Sequence, residues 1–373
     1  MEYYRNLLRN RERIEVFRTA IDRDVGPGDR VLEIGTGLGT YAMFAADAGA
    51  DMVWAIDGEA VVHVAATVAK MNGYGERIQF IRGWVPEVEL DARANVLIFE
   101  DFSINFMDVE THQMLTRVSR DYLTPDARAI PAGARISCAP VHSPTSYAVC
   151  SDLDRTSDVA FGIDWSATKT YVCNQPLSCV IDDSALLAVP QVLSTVTLLP
   201  APSAADLGGS LSFVTDRAGE MHGVAIWFEL VLGKGLVYSN GPGAGDSPWG
   251  QMLLPLEDAL ALDAGTEVHV EIGYESAESG APGLTWWTVS VDGTRQGGHE
   301  FRGFPASLKD LQVMEDEEIP TLGRDGQITR RILDLVDGTA TCKGIRSVLI
   351  DEFGLDPETA AGFVDSVLSE HAR

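Results

Sequence analysis

Positive charge is scarce in this chain. Lys and Arg number 28 against 55 Asp and Glu, a formal −27 over 373 residues. Only five of the bases are lysines: Lys70, Lys169, Lys234, Lys309 and Lys343. A protein built to grip a nucleic-acid backbone concentrates positive charge, so that role is excluded as the main one. Docking on an anionic membrane is disfavoured for the same reason. Cysteine is sparse too. Cys138, Cys150, Cys173, Cys179 and Cys342 are odd in number, widely spread and without a CxxC pair. That argues against a disulfide framework or a zinc site and for a reducing compartment. Long apolar runs are missing: the best one, Ala185–Leu199, is broken by Pro190, Gln191 and Ser194. It falls short of the roughly 18 residues a membrane span needs. The start, MEYYRNLLRNRERIEVF, is charged throughout and lacks the apolar centre of a signal peptide. The expectation is a cytoplasmic protein with no nucleic-acid partner, no membrane partner and no metal.

What is present is a chain that can pack. Its apolar fraction is 45%, and its length is enough for two to three domains. Three compositions follow one another. Residues 1–140 alternate helical and strand patterns. Leu7, Leu8, Ile14, Phe17 and Ile21 have helix-like spacing over residues 5–22. Then come strand Val31–Ile34, a glycine turn, helix Tyr41–Ala48, strand Val53–Ile56, helix Val61–Met71, and strands Ile78–Arg82 and Val96–Phe99. This alternation predicts a parallel α/β sheet with right-handed crossovers. Residues 141–305 carry β-rich runs at Val224–Leu230, Thr266–Ile272 and Leu284–Val291, divided by turns such as Asn240-Gly241-Pro242-Gly243 and Asp292-Gly293. They predict an antiparallel sandwich or barrel. Trp286-Trp287 within a strand puts one ring on each face. Residues 308–373 open with a weakly strand-like piece and the acidic run Glu315–Glu318. Helices at Ile328–Leu335, Ile345–Phe353 and Pro357–Glu370 follow, the last capped by Asp356.

The sharpest motif is Val31-Leu32-Glu33-Ile34-Gly35-Thr36-Gly37-Leu38-Gly39, between a strand and a helix. Gly35 and Gly37 let a ligand approach the backbone, and the helix start offers unpaired N–H groups. Asp57 closes the next strand, where a carboxylate can accept both hydroxyls of a ribose. The spacing is GxGxG, not the GxGxxG of a pyrophosphate site. An acid leading into GxGxG fits a ligand with an amino group and no pyrophosphate, S-adenosylmethionine better than NAD.

VLEIGTGLGTYAMFAADAGADMVWAID, IQFIRGWVPEVEL, NVLIFED and DYLTPDARAIP resemble the successive motifs of class I methyltransferases, and more narrowly of the protein arginine methyltransferases. The likeness continues more loosely through IDWSATKTYVCNQPLSCVIDD, which resembles that family's dimerisation arm, and SPWGQMLLPLED, which resembles its THW stretch. The resemblance implies a Rossmann-like domain at 1–140, which binds S-adenosylmethionine and releases S-adenosylhomocysteine. It also implies a β-barrel at 141–305 with an arm at about 160–190, and a homodimer. By position, Arg13 matches the residue that pairs with the cofactor carboxylate. Glu33, Gly35 and Gly37 match the methionine turn. Asp57 matches the ribose acid, Gly58 lies beside the adenine, and Val85 packs on it. Pro86 stands where the family has a glutamate for the adenine amine.

The catalytic feature of that family is a hairpin with two glutamates that grip a guanidinium. Glu100 matches the first. Val109 falls where the second is expected, flanked by Asp108 and Glu110, either of which could supply a carboxylate after a one-residue shift. Pro248 replaces the THW histidine. Tyr3 and Tyr4 are what remains of a helix that covers the cofactor in the family. The catalytic departures lie on the acceptor side while most of the cofactor side survives, which points to methyl transfer to a nitrogen of a peptide or protein. Arginine methylation and a non-catalytic binding scaffold are the alternatives. ITRRILDLVDGTATCKGIRSVLIDEFGLDPETAAGFVDSVLSEHA resembles the small PqqD-like, winged-helix-like domains that hold precursor peptides by strand addition. That likeness makes a ribosomally made precursor peptide the expected partner.

Overall fold

The computed structural model describes every residue except 86, 105, 151–160, 245–246, 278–279, 307–318 and 372–373, together with the side chain of Glu370. The chain divides into two compact units, Met1–Pro305 and Ala306–Arg373.

The first unit opens with α1 (Glu2–Leu7) and α2 (Arg11–Asp24). The apolar spacing over 5–22 predicts one helix, but Asn10 divides it. Its side-chain oxygen accepts the Arg13 N–H at 3.0 Å and caps α2, so the helix restarts there. Five strands follow: β1 (Arg30–Ile34), β2 (Met52–Asp57), β3 (Ile78–Arg82), β4 (Ala94–Phe99) and β5 (Leu123–Ile130). They pair in parallel in the order β3-β2-β1-β4-β5. Helices α3 (Thr40–Asp47), α4 (Val61–Met71) and α5 (Val109–Asp121) alternate with them. The strand order reverses between β1 and β4, so their carboxyl ends open a crevice. The turn after β1 and the residue after β4 therefore share one site.

The chain then builds two antiparallel sheets. In one, β7 (Leu177–Cys179), β12 (Gln251–Leu262), β10 (Gly219–Val231), β6 (Gly133–Val141) and β8 (Gln191–Thr197) lie in that order, with β11 (Val237–Ser239) on β10. In the other the order is β15 (Thr294–His299), β14 (Pro282–Val291), β13 (Glu267–Ser276) and β9 (Gly209–Val214). Asp292 and Gly293 both have positive φ, 47° and 82°, as a two-residue hairpin between β14 and β15 requires. Period-two burial sends Trp287 into the core and leaves Trp286 half-buried, as the paired tryptophans predict. The two halves of this unit share one core. Phe102 and Phe106, from the loop after β4, pack on Phe228 of β10. The predicted arm begins in the stretch outside the described residues. Its described part leaves Phe161 and Ile163 exposed.

Among its described residues the second unit has three helices, α6 (Arg324–Leu335), α7 (Cys342–Phe353) and α8 (Pro357–His371). Ile328, Ile332, Ile345, Leu349, Ala360, Val364 and Val367 form its core. Thr341 caps α7 by accepting the Gly344 N–H, and Asp356 caps α8 by accepting the Thr359 N–H. The strand-like piece and Glu315–Glu318 lie outside the described residues. Among the described residues, no helix is long and apolar enough to cross a membrane.

Candidate active site

A cavity of about 590 Å³ opens at the carboxyl ends of the parallel sheet. Its walls carry six carboxylates, Glu33, Asp57, Glu59, Glu100, Asp101 and Glu110, and one guanidinium, Arg13. Such a lining favours a cationic ligand.

The glycine turn forms the floor. Gly35, Gly37 and Gly39 all have positive φ, at 72°, 52° and 76°. Gly35 is further constrained because a Cβ there would lie 2.9 Å from that of Asp101. The Gly35 and Thr36 N–H groups both donate to the Ile56 carbonyl, tying the turn to β2. Asp57 completes the clamp: Oδ2 accepts the Gly37 N–H and Oδ1 the Glu59 N–H, each at 2.8 Å. Each oxygen keeps a lone-pair site for a ligand hydroxyl. Tyr4 of α1 lies over the turn, 3.4 Å from where a Gly37 Cβ would be.

Glu33 is buried beneath the turn and accepts the Thr36 hydroxyl at 2.7 Å. Burial pushes its carboxyl up to about 8, partly offset by that hydroxyl. A folded-state pKa above the usual 4.5 means that the folded chain holds a proton the unfolded chain has lost. This group's stabilisation is complete below the unfolded value and is lost as pH rises toward 8. The ligand-free protein should therefore lose thermal stability from pH 5 to 8. Glu33→Gln, which mimics the neutral carboxyl, should flatten that slope in a Tm series against pH. An unchanged slope would mean that Glu33 is charged in the folded state.

Arg13 joins the two sides of the cavity. It is 4% exposed, and Nη1 donates to Glu100 Oε1 at 2.5 Å while Nη2 donates to the Leu7 carbonyl at 2.8 Å. Nε is buried with no partner among the described residues, an orphan donor that an anionic group would satisfy. Glu100 ends β4 at the crevice, and burial pushes its carboxyl up to about 7 against the pull of Arg13. Asp101 is likewise raised, by burial and then by Asp57 and Asp108. Trp249 closes this corner. Its indole N–H donates to the Phe102 carbonyl at 2.9 Å, pinning the loop after Glu100, and Arg13 stands 6.0 Å from its ring. Pro248 lines the cavity beside it.

The two carboxylates offered for the second glutamate position part company. Asp108 is the N-cap of α5, with Oδ1 accepting the Thr111 N–H at 2.8 Å, and it does not line the cavity. Its short side chain is engaged by the helix end. Glu110, on the first turn, does line the cavity, with Thr111 and Met114. Gly58 and Val85 lie on the wall, while Pro86 is outside the described residues. Composition and spacing give no hint of three further wall residues. Tyr41 stacks on Phe17 at 4.8 Å, and its buried hydroxyl has no partner among the described residues. It shares its short helix with a second aromatic, Phe44, which hides it in the sequence. Met114 lies one helical turn beyond Glu110. Trp84 is an exposed indole two residues after β3.

A Rossmann-like sheet with its site at the β1/β4 crevice, joined to an antiparallel β domain, is the fold of the protein arginine methyltransferases. The "Trypanosoma brucei PRMT1 enzyme-prozyme heterotetrameric complex with AdoHcy" superposes with a TM-score of 0.69 at 21% identity, covering 78% of this chain and 96% of that one. Arabidopsis thaliana protein arginine methyltransferase 10 superposes with a TM-score of 0.65 at 16% identity, covering 80% and 98%. The family described as "Arginine methyltransferase oligomerization subdomain" matches residues 147–281. In sequence the chain is 26% identical over 272 residues to "Protein arginine N-methyltransferase 6" of Danio rerio, covering 68% of this chain and 75% of the relative. It is 27% identical over 317 residues to "Probable histone-arginine methyltransferase CARM1" of Oryza sativa subsp. indica, covering 79% of this chain and 59% of the relative. The chain is thus similar to the protein arginine methyltransferases in fold and, at 26–27% identity, in sequence.

Proposed function

We propose that this chain is an S-adenosylmethionine-dependent protein N-methyltransferase whose favoured acceptor is the guanidinium of arginine, with S-adenosylhomocysteine as product. The observation that carries the reading is the Arg13–Glu100 pair, with its orphan Nε, in one cavity with the Asp57-clamped glycine turn. The residues fit the cofactor. Arg13 offers donors for its carboxylate, Glu33 a partner for its amino group, and Asp57 acceptors for its ribose hydroxyls, while Gly35 and Gly37 leave space for close approach. When bound, the sulfonium supplies an electrophilic methyl group.

The chain's own residues do the rest. Glu100 accepts hydrogen bonds from the acceptor guanidinium and holds the attacking nitrogen in line, a proximity effect rather than strong acid–base chemistry. Its deprotonated form is required, so activity rises with pH through about 7. Glu110 supplies a second carboxylate at the mouth, where Asp108 is occupied as a cap. Trp249 holds the Glu100 loop in place by its bond to Phe102. The match at 147–281 supports self-association, with a homodimer as the simplest assembly.

The relatives' names favour arginine in proteins over a precursor peptide. The precursor reading rests on the C-terminal unit alone, and the strand-like stretch expected to receive the peptide lies outside the described residues. The test is to incubate the chain with S-adenosylmethionine and arginine-rich polypeptides, then locate added methyl groups by fragmentation. Methylation on arginine, lost when arginine is replaced by lysine, is the expected result. Methyl groups on another nitrogen would overturn the arginine assignment, and none on any polypeptide would favour a scaffold.

A further inference from the structure

We infer that Trp84 is the base-stacking platform of this cavity, an indole presented at its mouth to receive the purine of the cofactor. The inference rests on the cofactor reading above. Trp84 is 64% exposed, yet it lines the cavity and its ring is seated. A Cβ on Gly58 would lie 2.2 Å from both Cε2 and Cζ2 of the indole. Gly58 is not among the residues with positive φ, so its backbone does not demand glycine. The missing side chain serves the approach of the ring.

The seat is fixed from both strands. The Gly83 N–H donates to the Asp57 carbonyl at 3.0 Å, and Arg82 Nε reaches the Gly58 carbonyl at 3.4 Å. A Cβ on Gly83 would meet Val88 Cγ2 at 2.6 Å, so the chain around Trp84 is closely packed. Gly58 directly follows Asp57, the residue with acceptors for a ribose. A base attached to that ribose arrives at Gly58, where one face of an indole is already covered and the rest is open. An exposed aromatic at that point costs apolar hydration in the free protein and regains it by stacking on a flat heterocycle. Stacking reads the ring and not its hydrogen-bonding edge. It therefore supplies base affinity without the carboxylate that Pro86 cannot provide.

The test is calorimetric titration of S-adenosylhomocysteine and of adenosine into wild type, Trp84→Ala and Trp84→Phe, with tryptophan emission followed in parallel. Trp84→Ala should weaken both ligands by a similar factor, about tenfold, because both carry the base. Trp84→Phe should retain most of the affinity but lose Trp84's share of the ligand-induced change in emission, leaving only what Trp249 of the same cavity contributes. Equal affinity of wild type and Trp84→Ala for S-adenosylhomocysteine would overturn the platform and leave the cofactor site standing. An emission change as large in Trp84→Phe as in wild type would also overturn it. Failure of the wild type to bind either ligand would remove the cofactor reading and the platform with it.

Discussion

Glu100→Gln should lower methyl transfer by about 10²- to 10³-fold while leaving S-adenosylhomocysteine binding in place. Glutamine keeps the shape of the side chain but offers one acceptor oxygen instead of two, and no charge. Glu100 stands at the carboxyl end of β4, beside the crevice, and accepts a hydrogen bond from Arg13. If it orients the acceptor, its loss falls on turnover and acceptor KM, not on the cofactor. If Glu100 serves only to neutralise Arg13, the substitution would instead weaken stability and cofactor binding together. Rate and binding measured on the same preparation separate these outcomes. The comparison with Glu110→Gln is informative: a smaller loss there would rank Glu110 as an accessory carboxylate at the mouth.

Removing Arg13 should have the second large effect. Arg13→Met should weaken S-adenosylhomocysteine about a hundredfold, equivalent to about 3 kcal/mol. The side chain is buried, and its fork serves Glu100, the Leu7 carbonyl and one open position. Without it Glu100 loses the pull that opposes burial, so its pKa rises further. The residual activity should then shift to higher pH. The Leu7 bond is lost as well, so hydrogen exchange in α1 should speed up. Arg13→Lys keeps the charge but not the planar fork, and recovers only part of the affinity. Undiminished binding in Arg13→Met would remove Arg13 from the cofactor site.

The parallel sheet is legible in the sequence because its strands are buried on both sides and read as short apolar runs between helical periods. Val31–Ile34 and Val96–Phe99 are such runs, whereas Ile78–Arg82, at the sheet edge, is largely unburied. The division between α1 and α2 is not legible from apolar period alone. It depends on the Asn10 side chain competing for one backbone N–H, which the spacing of Leu7, Leu8 and Ile14 hides. At the site, Glu33, the glycines and Asp57 show in sequence because they are local to one strand–turn–helix unit and its neighbour. Arg13 and Glu100 are each reached through resemblance, but their pairing across 87 positions is not legible in the sequence. Asp108 and Glu110 differ by two positions and both carry carboxylates. Only the start of α5 decides that the first caps the helix and the second faces the cavity. Trp84 and Tyr41 are invisible to motif reading, because what matters is a missing Cβ at Gly58 in one case and an unpaired hydroxyl in the other.

The most direct test of the account is a calorimetric titration of S-adenosylhomocysteine into the wild-type chain, repeated in buffers of different ionisation enthalpy near pH 7. The account predicts saturable binding at one site per chain, with release of protons. The amino end of the ligand draws a charge from Glu33, whose free carboxyl holds its proton up to about 8. Absence of binding, or binding with proton uptake, would contradict it.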